Sequence, residues 1–254
     1  MARYQLILAY DGTQFAGYQR QAQGRTVQGE LEAALRRLGW SGKAILSAGR
    51  TDAGTHAEGQ VIAFDLDWAH SPDELCLAMN AYLPEDIAAR SARLTDDDFH
   101  PRFAALGRRY RYTLYCEEVR DPLKDRYAWQ VWPGLNVDLL QAAARMLDGT
   151  HDFAAFGTPP RPRSSTIRSV SQAGWVRSEG EGLIFTITAN AFLYHMVRRL
   201  VFLQVQVGQG RVSLEELGEG LECQKPQMPG LAPARGLVLA EVIYPPSGSL
   251  NRDK

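Results

Sequence analysis

The sequence predicts an α+β fold of two similar lobes, each built on antiparallel sheet with helices, and a cleft between them. Three observations lead there. Short runs with strand-like alternation are interleaved with amphipathic, capped helical segments in both halves of the chain. The interleaving lacks the steady strand–helix–strand rhythm of a parallel doubly wound sheet. A polar, irregular stretch over residues 96–107 divides the chain, so an N-terminal lobe over 1–104 and a C-terminal lobe over 105–254 are expected.

In the first half, strands are expected at Tyr4 to Tyr10, Ala44 to Ala48, Gln60 to Asp65 and Ile87 to Leu94. A helix from about Thr26 to Leu38 carries Val27, Leu31, Leu35 and Leu38 on one face at helical spacing. A second helix opens on Ser71, with Pro72 at its first position and Glu74 completing a capping box, and stops before Pro84. The second half repeats the scheme: a strand over 108–116, a helix from Val137 to Leu147 ended by Gly149, strands near 166–177 and 183–188, and a helix near 191–206. Ser213 with Glu216 caps a further short helix, and Gly236 to Tyr244 reads as a closing strand. The Pro-rich, basic stretch Thr158 to Thr166 is either a loop over the cleft or a disordered insert.

The chain has 254 residues, of which 45% are hydrophobic, enough to build a core without staples. Cys76, Cys116 and Cys223 lie far apart with no CxxC pair, which excludes a zinc ribbon and a disulfide framework and fits a reducing, cytoplasmic setting. The first residues read as a strand ending in a turn rather than a signal peptide. The longest apolar run, Phe192 to Val207, is interrupted by His195, Arg198, Arg199, Gln204 and Gln206, so no membrane span is expected.

Net charge is −1, so no protein-wide field attracts nucleic acid. Screening over about 8 Å at physiological salt nevertheless lets a local cluster act alone. Lys43, Lys124, Lys225 and Lys254 are the only lysines; every other basic residue of the Lys+Arg total is arginine. Arginine forks match phosphates and stack on bases, which suits RNA, although a GC-rich genome or heat adaptation favours arginine as well. The clusters are Arg108, Arg109 and Arg111; Arg161, Arg163 and Arg168; and the Arg198-Arg199 pair.

The densest chemistry lies in residues 48–60, Ala-Gly-Arg-Thr-Asp-Ala-Gly-Thr-His-Ala-Glu-Gly-Gln. Asp52 sits in a glycine-punctuated turn directly after an apolar strand, two residues from Arg50. Side chains two apart in extended backbone point the same way, so Arg50 and Asp52 are expected to share one site in which the guanidinium favours the charged carboxylate. Using an aspartate as a general acid near neutral pH means raising its pKa of about 3.9 by roughly three units. Nothing around Asp52 suggests so dry a pocket, so the reading is an ionised nucleophile or base. On this loop alone, a turn-capping Asx aspartate with a surface ion pair is the commoner use of such residues.

Period two in residues 107–115 places Tyr110, Tyr112 and Leu114 on one strand face, with Arg109, Arg111, Thr113 and Tyr115 on the other. Tyr110, at the edge of the apolar layer, is a candidate to stack under an extruded base; a half-buried core tyrosine is the commoner use. The segment Asp11 to Gln21 combines amides, aromatics and Arg20, a mixture that suits single-stranded bases and also a plain hairpin turn. The helix around Phe192, Met196 and Leu200 carries Arg198 within reach of a backbone phosphate, or as a solvated arginine on a core helix. The five histidines show no metal-pair spacing, and neither a Walker loop nor a GxSxG elbow occurs.

Taken together and in order, Tyr-Asp-Gly-Thr at 10–13, Ala-Gly-Arg-Thr-Asp-Ala-Gly at 48–54, Phe-His-Pro-Arg-Phe at 99–103, Arg-Arg-Tyr-Arg-Tyr at 108–112, Asn-Ala-Phe-Leu-Tyr-His-Met-Val-Arg at 190–198 and Gly-Leu-Val-Leu at 236–239 closely resemble the tRNA pseudouridine synthase A family. The resemblance spans nearly the whole chain. It implies a cofactor-free, metal-free isomerase acting on uridines of the tRNA anticodon stem-loop, at the positions numbered 38, 39 and 40 in tRNA. It further implies a homodimer with RNA crossing between the subunits, Asp52 as the essential aspartate, Tyr110 stacking on the target base, and Arg50 filling the space the base leaves. Arg20, Arg102, Arg109 and Arg198 are candidate RNA contacts. The sequence departs from the family at Tyr18, Thr55, Phe202 and Val238, where tryptophan, valine, glycine and tyrosine are frequent. None of these departures falls at Asp52, Arg50 or Tyr110 themselves. Two other classes are an RNA-binding module without catalysis and an aspartate-nucleophile phosphatase, for which Asp65 and Asp67 are the further carboxylates.

Overall fold

A computed structural model describes residues 1–161, 163–178, 182–223, 225 and 227–246. The chain forms two compact units, Met1–Leu106 with Leu239–Lys254, and Gly107–Val238. Both are α+β with antiparallel pairing, as the pattern of segments predicts.

In the first unit, β1 (Ala2–Tyr10) pairs antiparallel with β3 (His56–Leu66) on one side and β4 (Ile87–Leu94) on the other. A two-residue strand, β2 (Leu46–Ser47), also pairs with β3. Alternation sets the faces of β1: Tyr4, Leu6, Leu8 and Tyr10 are all buried. Helix α1 (Val27–Arg37) buries Val27, Leu31, Ala34 and Leu35, the spacing seen in the sequence, and is capped by Thr26, whose hydroxyl accepts from Gly29 N. Helix α2 (Pro72–Tyr82) has the full capping box: Ser71 N donates to Glu74 Oε2 at 2.9 Å while Glu74 N donates to Ser71 Oγ at 3.2 Å.

In the second unit the sheet runs β5 (Gly107–Tyr115), β9 (Gly182–Ala189), β8 (Ile167–Arg177), β7 (Gly149–Asp152), each pair antiparallel, with β6 (Trp129–Gln130) parallel to β5. Helices α3 (Val137–Arg145), α4 (Met196–Gly208) and α5 (Leu214–Glu222) pack around one core that includes Tyr112, Leu114, Phe153, Phe156, Phe185 and Leu200. Asn136 caps α3 by accepting from Asp138 N and Leu139 N, and Ser213 with Glu216 boxes α5.

The chain returns to the first unit at Leu239, whereas sequence order assigned all of 105–254 to the second. Strand pairing is the reason. The closing strand, β10 (Leu237–Ile243), hydrogen-bonds β3. At Gly59 of β3 it approaches so closely that a Cβ would come within 2.5 Å of the Ala240 carbonyl oxygen. The helix expected near 191–206 starts five residues later. Asn190 Oδ1 accepts from Ala191 N and Ser169 N, Tyr194 exchanges two main-chain hydrogen bonds with Thr158, and His195 is left-handed at φ 65°. Residues 190–195 therefore hydrogen-bond sideways and cannot start a helix. Strands β6 and β7 were not expected, being too short to show a period.

Phe185 is fully buried against Trp175, with ring centroids 5.1 Å apart. Phe185→Ala is expected to lower unfolding stability by about 3–5 kcal/mol, and Ser71→Ala by about 1 kcal/mol. Denaturant unfolding of the two variants side by side checks the order.

Candidate active site

Asp52 lies in a four-residue turn, half-buried, with Arg50 exposed just before it. The turn is closed by its own main chain: Thr55 N donates to the Asp52 carbonyl at 3.1 Å, with Gly54 at φ 75° in the position that requires a left-handed residue. The Gly54 amide, which an Asx turn at Asp52 would use, donates to the Phe15 carbonyl at 3.3 Å. Main-chain bonds thus close the turn and hold its Gly54 amide on the neighbouring loop.

A second loop of the same unit, residues 10–18, clasps this turn from both sides. The Tyr10 hydroxyl and Thr51 Oγ1 are 2.8 Å apart, and Tyr18 N donates to the Thr51 carbonyl at 3.0 Å. A Cβ at Gly17, itself at φ 104°, would stand 3.1 Å from that carbonyl oxygen. At the other end, a Cβ at Gly12 would collide with the Thr55 carbonyl oxygen at 2.1 Å, and Gly12 N reaches His56 Nδ1 at 3.0 Å. Gln60 Nε2 ties back the Gly49 carbonyl at 3.1 Å. Thr51, Thr55, His56 and Gln60 are all buried polar residues. Burial pushes the Tyr10 phenol up to about 12, so its hydroxyl keeps its proton at neutral pH. Sequence reasoning found Asp52 and Arg50 but not Tyr10, Tyr18, His56 or Gln60. Their roles come from tertiary contacts some 40 residues apart in the chain, such as Gly12 to His56.

The arginines of this unit differ in their commitments. Arg20 forms an ion pair with Glu32, a carboxylate with no exposed surface that also accepts from Gln28 Nε2 at 2.8 Å and lies 3.7 Å from Arg36. Arg25 grips Asp86 with both terminal nitrogens, at 2.5 and 2.9 Å, and lies over the Phe15 ring. Arg102 is exposed in the turn after β4, beside the Phe103 ring, which is 77% exposed.

In the second unit, Tyr110 is half-buried on β5, opposite Ile187 of β9, and meets Phe192 edge-on, centroids 5.1 Å apart at 85°. Its face-mates Tyr112 and Leu114 are fully buried, so the alternation read from the sequence holds, with Tyr110 at the edge of the apolar layer. Arg109 Nε donates to Thr188 Oγ1 at 3.3 Å, and Arg108 to the Asn190 carbonyl at 3.0 Å. Arg198 donates through Nε to the Ala232 carbonyl at 2.8 Å. Its neighbour Arg199 spreads its guanidinium over the carbonyls of Ala155, Gln227, Met228 and Gly230. Among the described residues, no three His, Cys, Asp or Glu side chains converge as a metal centre requires, and no helix is long and apolar enough to cross a membrane.

A family model for tRNA pseudouridine synthase matches residues 6–104 and 143–245. Relatives called tRNA pseudouridine synthase A are similar over nearly the full length of both chains. That of Streptococcus equi subsp. equi is 39% identical over 247 residues, 96% of this chain and 99% of its own. That of Bacillus subtilis is 40% identical over 245 residues, covering 95% and 99%. That of Chloroflexus aurantiacus is 41% identical over 248 residues, covering 95% and 88%. The matched spans include the clasped Asp52 turn, and the chain belongs to the tRNA pseudouridine synthase family.

Proposed function

We propose that this chain isomerises uridine to pseudouridine in the anticodon stem-loop of tRNA, in the cytoplasm and as a homodimer, without a cofactor. The observation that supports the reading best is the clasp around Asp52. An aspartate on a turn whose main chain is fixed from both sides is held in one place for use. The near-full-length similarity to relatives called tRNA pseudouridine synthase A supplies the substrate class.

The chemistry fits these residues. Converting uridine to its C-glycoside breaks N1–C1′, turns the ring and joins C5 to C1′, while C5 loses its proton and N1 gains one, with no net change of oxidation state, so no redox partner is required. Extruding the base costs a few kcal/mol. Tyr110 offsets part of this by stacking on the uracil, its ring standing at the edge of its sheet's apolar layer. Arg50, exposed beside the turn, fills the space the base leaves. Asp52 then adds to C1′ or C6, or removes a 2′ proton; all three need the ionised carboxylate. Arg102 and Arg109 are the candidate phosphate contacts, with Arg198 supporting from its first helical turn.

Arg20, just past the 10–18 loop, is tied to α1 through Glu32.

Asp52→Ala and Asp52→Asn are expected to abolish pseudouridine formation in a uridine-bearing anticodon stem-loop while tRNA affinity is retained; turnover by the Asn variant at the wild-type rate would refute the assignment. Tyr110→Ala is expected to weaken binding of substrate by about 1–3 kcal/mol, the worth of one base–aromatic stack. Tyr110→Phe keeps the stack, so any fall in its turnover at unchanged affinity measures the hydroxyl. Arg102→Ala is expected to lower the slope of log affinity against log salt by about 1, as for one lost phosphate contact. Arg20→Ala is expected instead to lower thermal stability, because it withdraws a partner from a fully buried carboxylate.

A further inference from the structure

We propose that His56 is a positioning residue for Asp52, acting through the main chain of Gly12 and Thr55. The inference rests on the reading of Asp52 as the essential carboxylate. The His56 ring is buried, with Nδ1 lying 3.0 Å from Gly12 N and 3.1 Å from Asp11 Oδ1. These two neighbours ask opposite things of one nitrogen: the amide needs a lone pair, the carboxylate a proton. Asp11 Oδ1 already accepts from Thr13 N at 3.0 Å and from Thr13 Oγ1 at 2.5 Å. Asp11 Oδ1 therefore has two donors besides His56, whereas Gly12 itself is buried. The tautomer that gives the Gly12 N–H its acceptor has Nδ1 as acceptor and the ring proton on Nε2.

That hydrogen bond sets the position of Gly12, and Gly12 sets the position of Thr55. The contact between them admits no side chain at all, since a Cβ at 12 would stand 2.1 Å from the Thr55 carbonyl oxygen. Thr55 in turn closes the Asp52 turn through its own amide. The chain of contacts His56, Gly12, Thr55, Asp52 is short, buried and made mostly of main chain, so little side-chain rotation is available to absorb an error. Removing the Nδ1 acceptor leaves a buried amide without a partner and frees the 11–13 turn to lift from Thr55. His56 touches none of the reacting atoms in this scheme. Its effect is on where the carboxylate stands.

The test uses the full chain and an anticodon stem-loop substrate, with Asp52→Asn run in parallel. His56→Leu is expected to lower kcat on the order of 10²-fold, the usual consequence of a reacting group displaced by about 1 Å, with KM for tRNA unchanged. His56→Asn, whose Oδ1 takes the place of Nδ1, is expected to recover most of that loss. His56→Gln, whose amide reaches beyond it, is expected to resemble Leu. Should the Leu variant fail to fold, the comparison of Asn with Gln decides. Undiminished kcat in the Leu variant, equal kcat in the Asn and Gln variants, or a loss confined to KM would overturn the inference. If the His56 series is flat while Asp52→Asn is inactive, only this inference falls; if Asp52→Asn turns over normally, it is the reading of Asp52 that falls.

Discussion

The site depends on main-chain hydrogen bonds that join two loops of one unit, residues 10–18 and 51–56. Each bond is ordinary, worth about 1 kcal/mol net, but together they fix a turn that has little structure of its own. They exist because β1 and β3 are paired in a particular register. Leu8 stands opposite Gln60 and Tyr10 opposite Ala57, with a register shift between them. The shift delivers the end of β1 to the start of β3, so that the Tyr10 hydroxyl meets Thr51 and the next turn meets Thr55. A slip of one residue would exchange the faces of β1 and put Tyr4, Leu6, Leu8 and Tyr10 on the wrong side of the sheet. The hydrophobic pattern that holds the strand in place thereby also holds the carboxylate in place.

The second unit reaches a similar end by other means. Tyr110 meets the Phe192 ring edge-on, and Phe192 is fixed because residues 190–195 refuse the helix that follows them. Asn190 spends its side-chain oxygen on two amides, and Tyr194 pairs with Thr158. The left-handed backbone at His195, disfavoured for a residue with a side chain, is stabilised by what surrounds it, including the Tyr194 ring stacked at 3.7 Å. Regular structure begins only at Met196, whose side chain is buried in the core.

The parts legible in the sequence and the parts that were not differ in physical kind. Helices α1, α2, α3 and α5 were readable because their caps and apolar spacing are local, as at Ser71 with Glu74 and at Leu31 with Leu35. The strand carrying Tyr110 was readable because period two runs through Tyr110, Tyr112 and Leu114, although Tyr115 on the other face is buried as well. The start of α4 was misread because the spacing of Phe192, Met196 and Leu200 fits a helix, while the hydrogen bonds that prevent it involve Ser169 and Thr158. The closing strand was misassigned because nothing in residues 237–243 names its partner, β3. At the site, Asp52 and Arg50 announce themselves by type and by flanking glycines. His56 does not, since a single histidine at a strand start has no spacing to be recognised by, and its meaning lies in Gly12.

The arginines show why counting charge says less than asking what each charge is attached to. The excess of arginine over lysine pointed toward phosphates, yet several of these side chains are spent on the protein itself. Arg25 holds Asp86 and Glu30, Arg20 holds Glu32, and Arg199 gathers the carbonyls of the 227–230 segment. A planar fork that donates in several directions suits this work as well as it suits a phosphate, and lysine, a point charge on a flexible stem, would do it less well. Arginine enrichment in this chain therefore has a structural component that composition cannot separate from a ligand-binding one. Burial and partners separate them: an arginine whose nitrogens are met by carbonyls and carboxylates is holding the fold. Arg50 and Arg102, by contrast, stand on exposed turns, a difference in setting that their residue type does not reveal.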